Sequence, residues 1–168
     1  QLHRGFNTLV GPAHDAPMNE AVCITCGQCI NVCPVAAYLE QPATEPVWKA
    51  LADPDTVVIA QIAPSIRAAI GEGFEREPGT PMTGQTVTAL RRLGFDAVFD
   101  TNFGADLTIV EEANEFAARL EKNEKLPLLT SCSPGWIKFM EHFYPDMIER
   151  ASTCKSPMSM LSTLLKTY

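Results

Sequence analysis

From residue 56 onward the chain alternates between short β-branched runs and longer stretches with helical spacing of apolar residues. Thr56-Val57-Val58-Ile59-Ala60-Gln61-Ile62 reads as a buried strand. Pro64 opens a helical segment that reaches Ile70, where Gly71 and Gly73 break it. After a loop rich in Pro and Gly, Gly84 to Leu93 is helical and stops at Gly94. Ala97-Val98-Phe99 is a second short strand, and a long helix follows from about Ala105 to Lys122. Leu126 to Thr130 is expected as a third strand, with another helix starting near Pro134. This alternation predicts an α/β lobe, a parallel sheet with flanking helices. Ligands of such sheets sit beyond the carboxyl ends of the strands. Those ends are Ala63-Pro64-Ser65, Asp100-Thr101-Asn102-Phe103 and Thr130-Ser131-Cys132, so Cys132 is expected at the edge of a site.

The first 44 residues have a different texture, rich in Cys, Pro, Gly and Asn and without periodicity. A segment of this kind has a cofactor for a core. A short helix over Glu45–Leu51, with Pro46 in its first turn, begins the second region. The expected organisation is therefore a small segment over 1–44 and a sheet-forming lobe over 45–168, α+β overall.

In the long helix, Ile109, Ala113, Phe116 and Leu120 form an apolar stripe. Glu112 lies about 60° from the centre of that stripe at ~100° per residue. Glu112, Glu115 and Arg119 share one flank at i, i+3 and i+7. A half-buried carboxylate beside another is expected to have a raised pKa, which suits a proton carrier. The competing reading is a solvated flank with an ordinary Glu115–Arg119 pair, worth little energetically.

Composition narrows the function. Hydrophobic residues make up 46% and charged residues 20%, as in globular proteins. A net charge of −7 argues against nucleic acid, whose phosphates need clustered Lys and Arg. No run approaches the ~18 consecutive apolar residues of a membrane span. The start, Gln1-Leu2-His3-Arg4, lacks an initiator Met and the apolar core of a signal peptide, and the end falls within a helical pattern. The chain is expected to be an internal piece of a longer cytoplasmic protein.

Four of the six cysteines, Cys23, Cys26, Cys29 and Cys33, lie within eleven residues. Disulfide scaffolds spread their cysteines, so this clustering points to metal in a reducing compartment. Cys23-x2-Cys26-x2-Cys29-x3-Cys33-Pro34 has the spacing of the bacterial ferredoxin run. Two-residue spacers bring three sulfurs round one corner of a 4Fe–4S cube, and Gly27 relieves the crowding. The fourth cysteine of such a run usually serves a neighbouring cluster. The alternative, a zinc site or four structural thiols, fits less well, because zinc ligands usually fall in two separated pairs.

Several longer motifs occur in one order. They are Arg4-Gly5-Phe6-Asn7-Thr8, the Cys23–Pro34 run, Ala63-Pro64-Ser65, Arg91-Arg92-Leu93-Gly94-Phe95-Asp96, the stretch from Asp100 to Thr108, Thr130-Ser131-Cys132-Ser133-Pro134-Gly135-Trp136 and Ser152-Thr153-Cys154-Lys155-Ser156-Pro157. Together they resemble the FeFe (iron-only) hydrogenase catalytic subunit, most closely its NADP-reducing or electron-bifurcating type. The resemblance implies reversible oxidation of H2 to protons and electrons at an H-cluster, a 4Fe–4S cube joined to a two-iron unit. It implies electron relay through 4Fe–4S clusters held by Cys23, Cys26, Cys29 and Cys33. It also implies ferredoxin or NAD(P)-linked diaphorase subunits as electron partners, within a larger chain or hetero-oligomer. The family's proton path maps onto Cys132, Glu112, Ser152, Glu115 and Arg119, and its cofactor pocket onto Ala63, Pro64, Ser65 and Ser133. One departure stands out: the family has two adjacent cysteines, a relay and then a cube ligand, where this chain has Cys132 and Ser133. A serine alkoxide is harder and more basic than a thiolate.

Two rival functions remain in view. A hydrogenase-like iron–sulfur assembly or sensory protein is favoured by Ser133 and disfavoured by Cys132 and Glu112. A ferredoxin-type electron carrier leaves the sheet-forming region without purpose. Cys154, Met158 and Met160 read as core residues, and His3, His14 and His142 as isolated.

Overall fold

The structure is a computed structural model that describes residues 3–167. Two strands, β1 (Ile59–Ile62) and β2 (Ala97–Asp100), pair in parallel as a two-stranded sheet with Ile59 opposite Ala97 and Ile62 opposite Asp100. Parallel neighbours need a crossover. It is built here from α3 (Pro64–Ala69), a 3-10 turn over Ile70–Phe74 and α4 (Thr83–Arg92). Asp96 sets the register, its carboxylate accepting the Val58 N–H at 2.7 Å while its own N–H donates to the Val58 carbonyl at 3.0 Å. The Thr101 N–H donates to the Ile62 carbonyl at 3.1 Å, so the pairing runs to the far end of both strands.

The chain divides into two compact units. One contains the chain up to Leu39 together with Ala118–Thr153. The other contains Glu40–Ala117 and the chain from Cys154 onward. The sheet lies in the second unit with α2 (Thr44–Leu51), α3, α4, most of α5 (Asn102–Lys122) and α7 (Pro157–Thr167). The first unit holds α1 (Gln28–Val32), the end of α5 and α6 (Pro134–Phe143).

Close approach of α7 to α5 depends on small residues. A Cβ at Gly104 would lie far inside contact distance of the Pro157 carbonyl oxygen and 3.0 Å from Leu161 Cβ. One turn on, the Thr108 hydroxyl sits 2.8 Å from the Gly104 carbonyl and 3.0 Å from Met160 Sδ. Gln61, on β1, donates to the Ser162 hydroxyl at 2.7 Å and accepts from the Thr101 hydroxyl at 3.3 Å. These contacts pin α7 to the sheet.

They also overturn the expected orientation of α5. The apolar stripe is the exposed one: Ile109 is 65%, Phe116 44% and Leu120 51% accessible. Thr108 and Arg119 are buried and Glu112 and Glu115 half-buried, as the reading of Glu112 as a half-buried carboxylate expects. The physical reason is backbone proximity, since Gly104 and Thr108 admit another helix and Ile109 and Phe116 do not. Two further expectations are corrected. Leu126–Thr130 is not a sheet strand; Leu129 alone forms a parallel bridge, to Ala151 within the first unit. Met158 is 58% exposed rather than core.

Candidate functional site

The Cys23–Cys33 run is a chain of tight turns. Gly27 adopts φ 76°, a left-handed conformation that costs a glycine little, and starts α1. Thr25 adopts φ 54°, uncommon for a β-branched residue. N–H groups point at two of the sulfurs: Thr25 N–H to Cys23 Sγ at 3.4 Å and Ala37 N–H to Cys33 Sγ at 3.2 Å. The backbone N–H groups of Val35, Tyr38, Ala37 and Ala36 hold the Cys33 thiol below its ordinary pKa, against a small opposing effect of burial. All four residues are thiols rather than disulfides, and no described residue up to Leu39 is buried. Among the described residues no three His, Cys, Asp or Glu side chains are gathered at metal-holding distance. The donor chemistry nevertheless fits an iron–sulfur cube: four thiols in one turn system, N–H groups aimed at sulfur, and no apolar core in which a competing packing could form.

Cys132 and Ser133 lead into α6. Pro134 occupies the first turn, where its missing N–H costs nothing. Ser133 is the N-cap, its Oγ accepting the Trp136 N–H at 3.4 Å. The hydroxyl in the expected ligand position thus already has a structural partner. Cys132 is exposed. Gly135 lies over the Cys23–Cys26 turn, where a Cβ would be 3.5 Å from the Ile24 carbonyl oxygen. The start of α6 and the cysteine turn are therefore neighbours within one unit. Behind them, Met140 is almost wholly buried, and Phe139 meets Phe143 and Tyr144 at ring-centroid distances of 5.0 and 5.7 Å.

Arg119 is 8% exposed. Its guanidinium donates to the carbonyls of Lys125 at 3.1 Å, Arg150 at 2.9 Å and Ala151 at 2.8 Å. Ser152 is buried beside this clamp, its N–H donating to the Leu129 carbonyl at 2.7 Å. Glu112 and Glu115 lie on the same face of α5 as Arg119, in the part of the helix that belongs to the second unit.

The ends of β1 and β2 lie in the second unit. Ala63 leaves β1, and Pro64 and Ser65 open α3. Asp100, at the end of β2, pairs with Arg67 at 2.9 Å and also accepts the Asn102 N–H at 2.9 Å, tying the Ala63–Ser65 turn to the start of α5. Asp100 is among the expected strand ends, but its pairing with Arg67 is not foreseen by the sequence. They lie 33 positions apart, and no local pattern links them.

The family described as "Iron only hydrogenase large subunit, C-terminal domain" matches residues 56–168, and a 4Fe-4S binding domain matches residues 16–39. The NADP-reducing hydrogenase subunit HndD of Solidesulfovibrio fructosivorans is 53% identical over 99% of this chain and 30% of its own length. Iron hydrogenase 1 of Clostridium pasteurianum is 45% identical over 99% of this chain and 29% of its own length. A solved structure of an apo FeFe-hydrogenase HydA1 variant from Chlamydomonas reinhardtii superimposes with a TM-score of 0.70 at 45% identity, covering 74% of this chain and 33% of that one. The chain thus spans about a third of the length of these relatives. Among the described residues no helix is long and apolar enough to cross a membrane. With its ferredoxin-type cysteine run set against the Cys132 turn in one unit, this chain belongs to the iron-only hydrogenase large-subunit family.

Proposed function

We propose that the protein containing this chain reversibly oxidises H2 to protons and electrons, with residues 1–44 as the ferredoxin-like segment and 45–168 as the first lobe of the H-cluster domain. The observation that carries this reading is the neighbouring position of the Cys23–Cys26 turn and the α6 start that follows Cys132. A relay cluster and a catalytic edge need such proximity for electrons to pass between them.

Cys23, Cys26 and Cys29 would hold one 4Fe–4S cluster, and Cys33 would serve a second. When bound, the H-cluster supplies the metal site at which H2 is split heterolytically. The residues of this chain then manage protons and position. Cys132 presents an exposed thiol, a group able to donate and recover a proton. Glu112 and Glu115 continue the path along the half-buried face of α5, and Ser152 stands at the Leu129–Ala151 bridge near its end. Ala63, Pro64 and Ser65 form a cofactor-facing turn that the Arg67–Asp100 pair supports. The electron partner is a ferredoxin or an NAD(P)-linked diaphorase subunit, and the setting is cytoplasmic.

The complete protein, loaded with clusters anaerobically, is expected to reduce a viologen dye under H2. Full iron and sulfide content without H2-dependent reduction would instead favour an assembly or sensory protein. That second reading draws on one observation, the use of Ser133 Oγ as a helix cap in a position where a thiolate ligand is expected.

A further inference from the structure

We infer that Tyr38 is a positioning residue for the cluster that Cys33 serves. Its hydroxyl ties the reversal after Cys33 to Val10 and so keeps backbone N–H groups aimed at the Cys33 sulfur. This role rests on the proposed reading of Cys33 as an iron ligand and not on the H2 chemistry.

Past Cys33 the chain turns back on its own thiol. A turn over Pro34 and Val35 leads into Ala36, whose φ of 51° is left-handed. A left-handed residue in such a turn directs successive N–H groups to one side, which makes a cradle for an anion. The cradle here faces the Cys33 sulfur. The Ala37 N–H donates to it at 3.2 Å, and the N–H groups of Val35, Tyr38 and Ala36 act on the same atom. Hydrogen bonds to sulfur are among the features that set the potential of an iron–sulfur cluster. Reduction adds negative charge, so fixed N–H donors favour the reduced state and raise the potential.

Tyr38 is what holds the cradle in shape. Left-handed backbone is uncommon outside glycine and persists where surrounding contacts over-determine it. Packing does not supply those contacts, because no described residue up to Leu39 is buried. Within residues 34–40 Tyr38 is half-buried and the others are exposed. Its hydroxyl donates to the Val10 carbonyl at 2.5 Å, across 28 positions of sequence. Val10 follows a turn that is itself fixed: the Thr8 N–H and hydroxyl both donate to the Gly5 carbonyl, at 3.2 and 2.7 Å. Both ends of the tether lie in the first unit. The Tyr38 N–H belongs to the cradle and its hydroxyl to the tether, so one residue couples the two.

The test uses the complete protein, loaded with clusters anaerobically, and its Tyr38→Phe variant. The ring is kept and one hydrogen bond is lost, so iron and sulfide content should match the parent. In a redox titration followed by EPR, the reduction constant of one 4Fe–4S cluster should fall about threefold to tenfold, up to about 59 mV for a one-electron couple. In D2O the deuteron hyperfine couplings between exchanged N–D groups and that cluster should weaken. Cys33→Ser should alter the same cluster, and the one held by Cys23, Cys26 and Cys29 should keep its potential in Tyr38→Phe. A fall below about twofold at every cluster, a rise, or an equal shift of all clusters would overturn the tether. If Cys33→Ser alters no cluster, Cys33 is not a ligand and the role of Tyr38 falls with it. If the loaded parent reduces no dye under H2, the proposed function fails while the titration still decides the tether.

Discussion

Ser133 Oγ accepts the Trp136 N–H at 3.4 Å, so the residue in the family's cube-ligand position serves here as the cap of α6. Cap and ligand roles separate cleanly by substitution. Asparagine caps helices as well as serine does but is a poor iron donor, whereas alanine does neither. If the cap is the main role, Ser133→Asn should keep both melting temperature and iron content, while Ser133→Ala should lose about 1 kcal/mol of stability. Loss of iron in both variants at unchanged melting temperature would identify Ser133 as a ligand. Calorimetry with iron and sulfide counting distinguishes the two.

Gly104 sits where α5 and α7 touch. In Gly104→Ala the new methyl would meet the Pro157 carbonyl and Leu161, so the helices must part. The expected cost is about 1–3 kcal/mol, as for other overpacked contacts. Gly84, in α4, has nothing within 4 Å of an added Cβ. Gly84→Ala should therefore be neutral or stabilising by up to about 1 kcal/mol. Equal melting temperatures for the two variants would contradict the packing described.

Glu112 and Cys132 should respond as proton carriers. Glu112→Gln keeps the shape and loses the transferable proton, so H2-dependent dye reduction should fall by about 100-fold or more with cluster spectra intact. Cys132→Ser should behave similarly, because a hydroxyl is far less acidic than a thiol. Retained activity in Glu112→Gln would remove it from the path. Loss of the cube in Cys132→Ser would make Cys132 a ligand.

Asp53 provides a pH test in the turn after α2. Its carboxylate accepts the Thr56 hydroxyl at 2.7 Å and the Asp55 N–H at 3.1 Å, and these bonds hold its pKa below the ordinary aspartate value. A depressed folded-state pKa means that the stabilisation is present above the unfolded pKa of about 3.9 and is lost as pH falls through the lower folded value. An NMR titration should place the Asp53 midpoint below that of an unfolded peptide. Thr56→Val, which removes the leading donor, should raise it. A midpoint unmoved by Thr56→Val would show that the hydroxyl is not the cause.

The sequence by itself determined whatever depends on neighbours along the chain. The spacing of Cys23, Cys26, Cys29 and Cys33 implied a cluster turn, because ligand geometry is set by two- and three-residue spacers. The β-branched run ending at Ile62, the second run beginning at Ala97 and the helix starts at Pro64 and Pro134 follow from local backbone preferences. Tertiary structure alone decided which side of α5 is covered. Periodicity gives the angle between the Ile109–Phe116 stripe and the Glu112–Arg119 flank, but not which of them meets another part of the chain. Gly104 and Thr108 let α7 approach the polar side, and the carbonyl of residue 125 and those of residues 150 and 151, which lie 31 and 32 positions from Arg119, converge to solvate it. A buried cation looks unfavourable in a hydropathy pattern, because the groups that compensate it come from elsewhere in the chain.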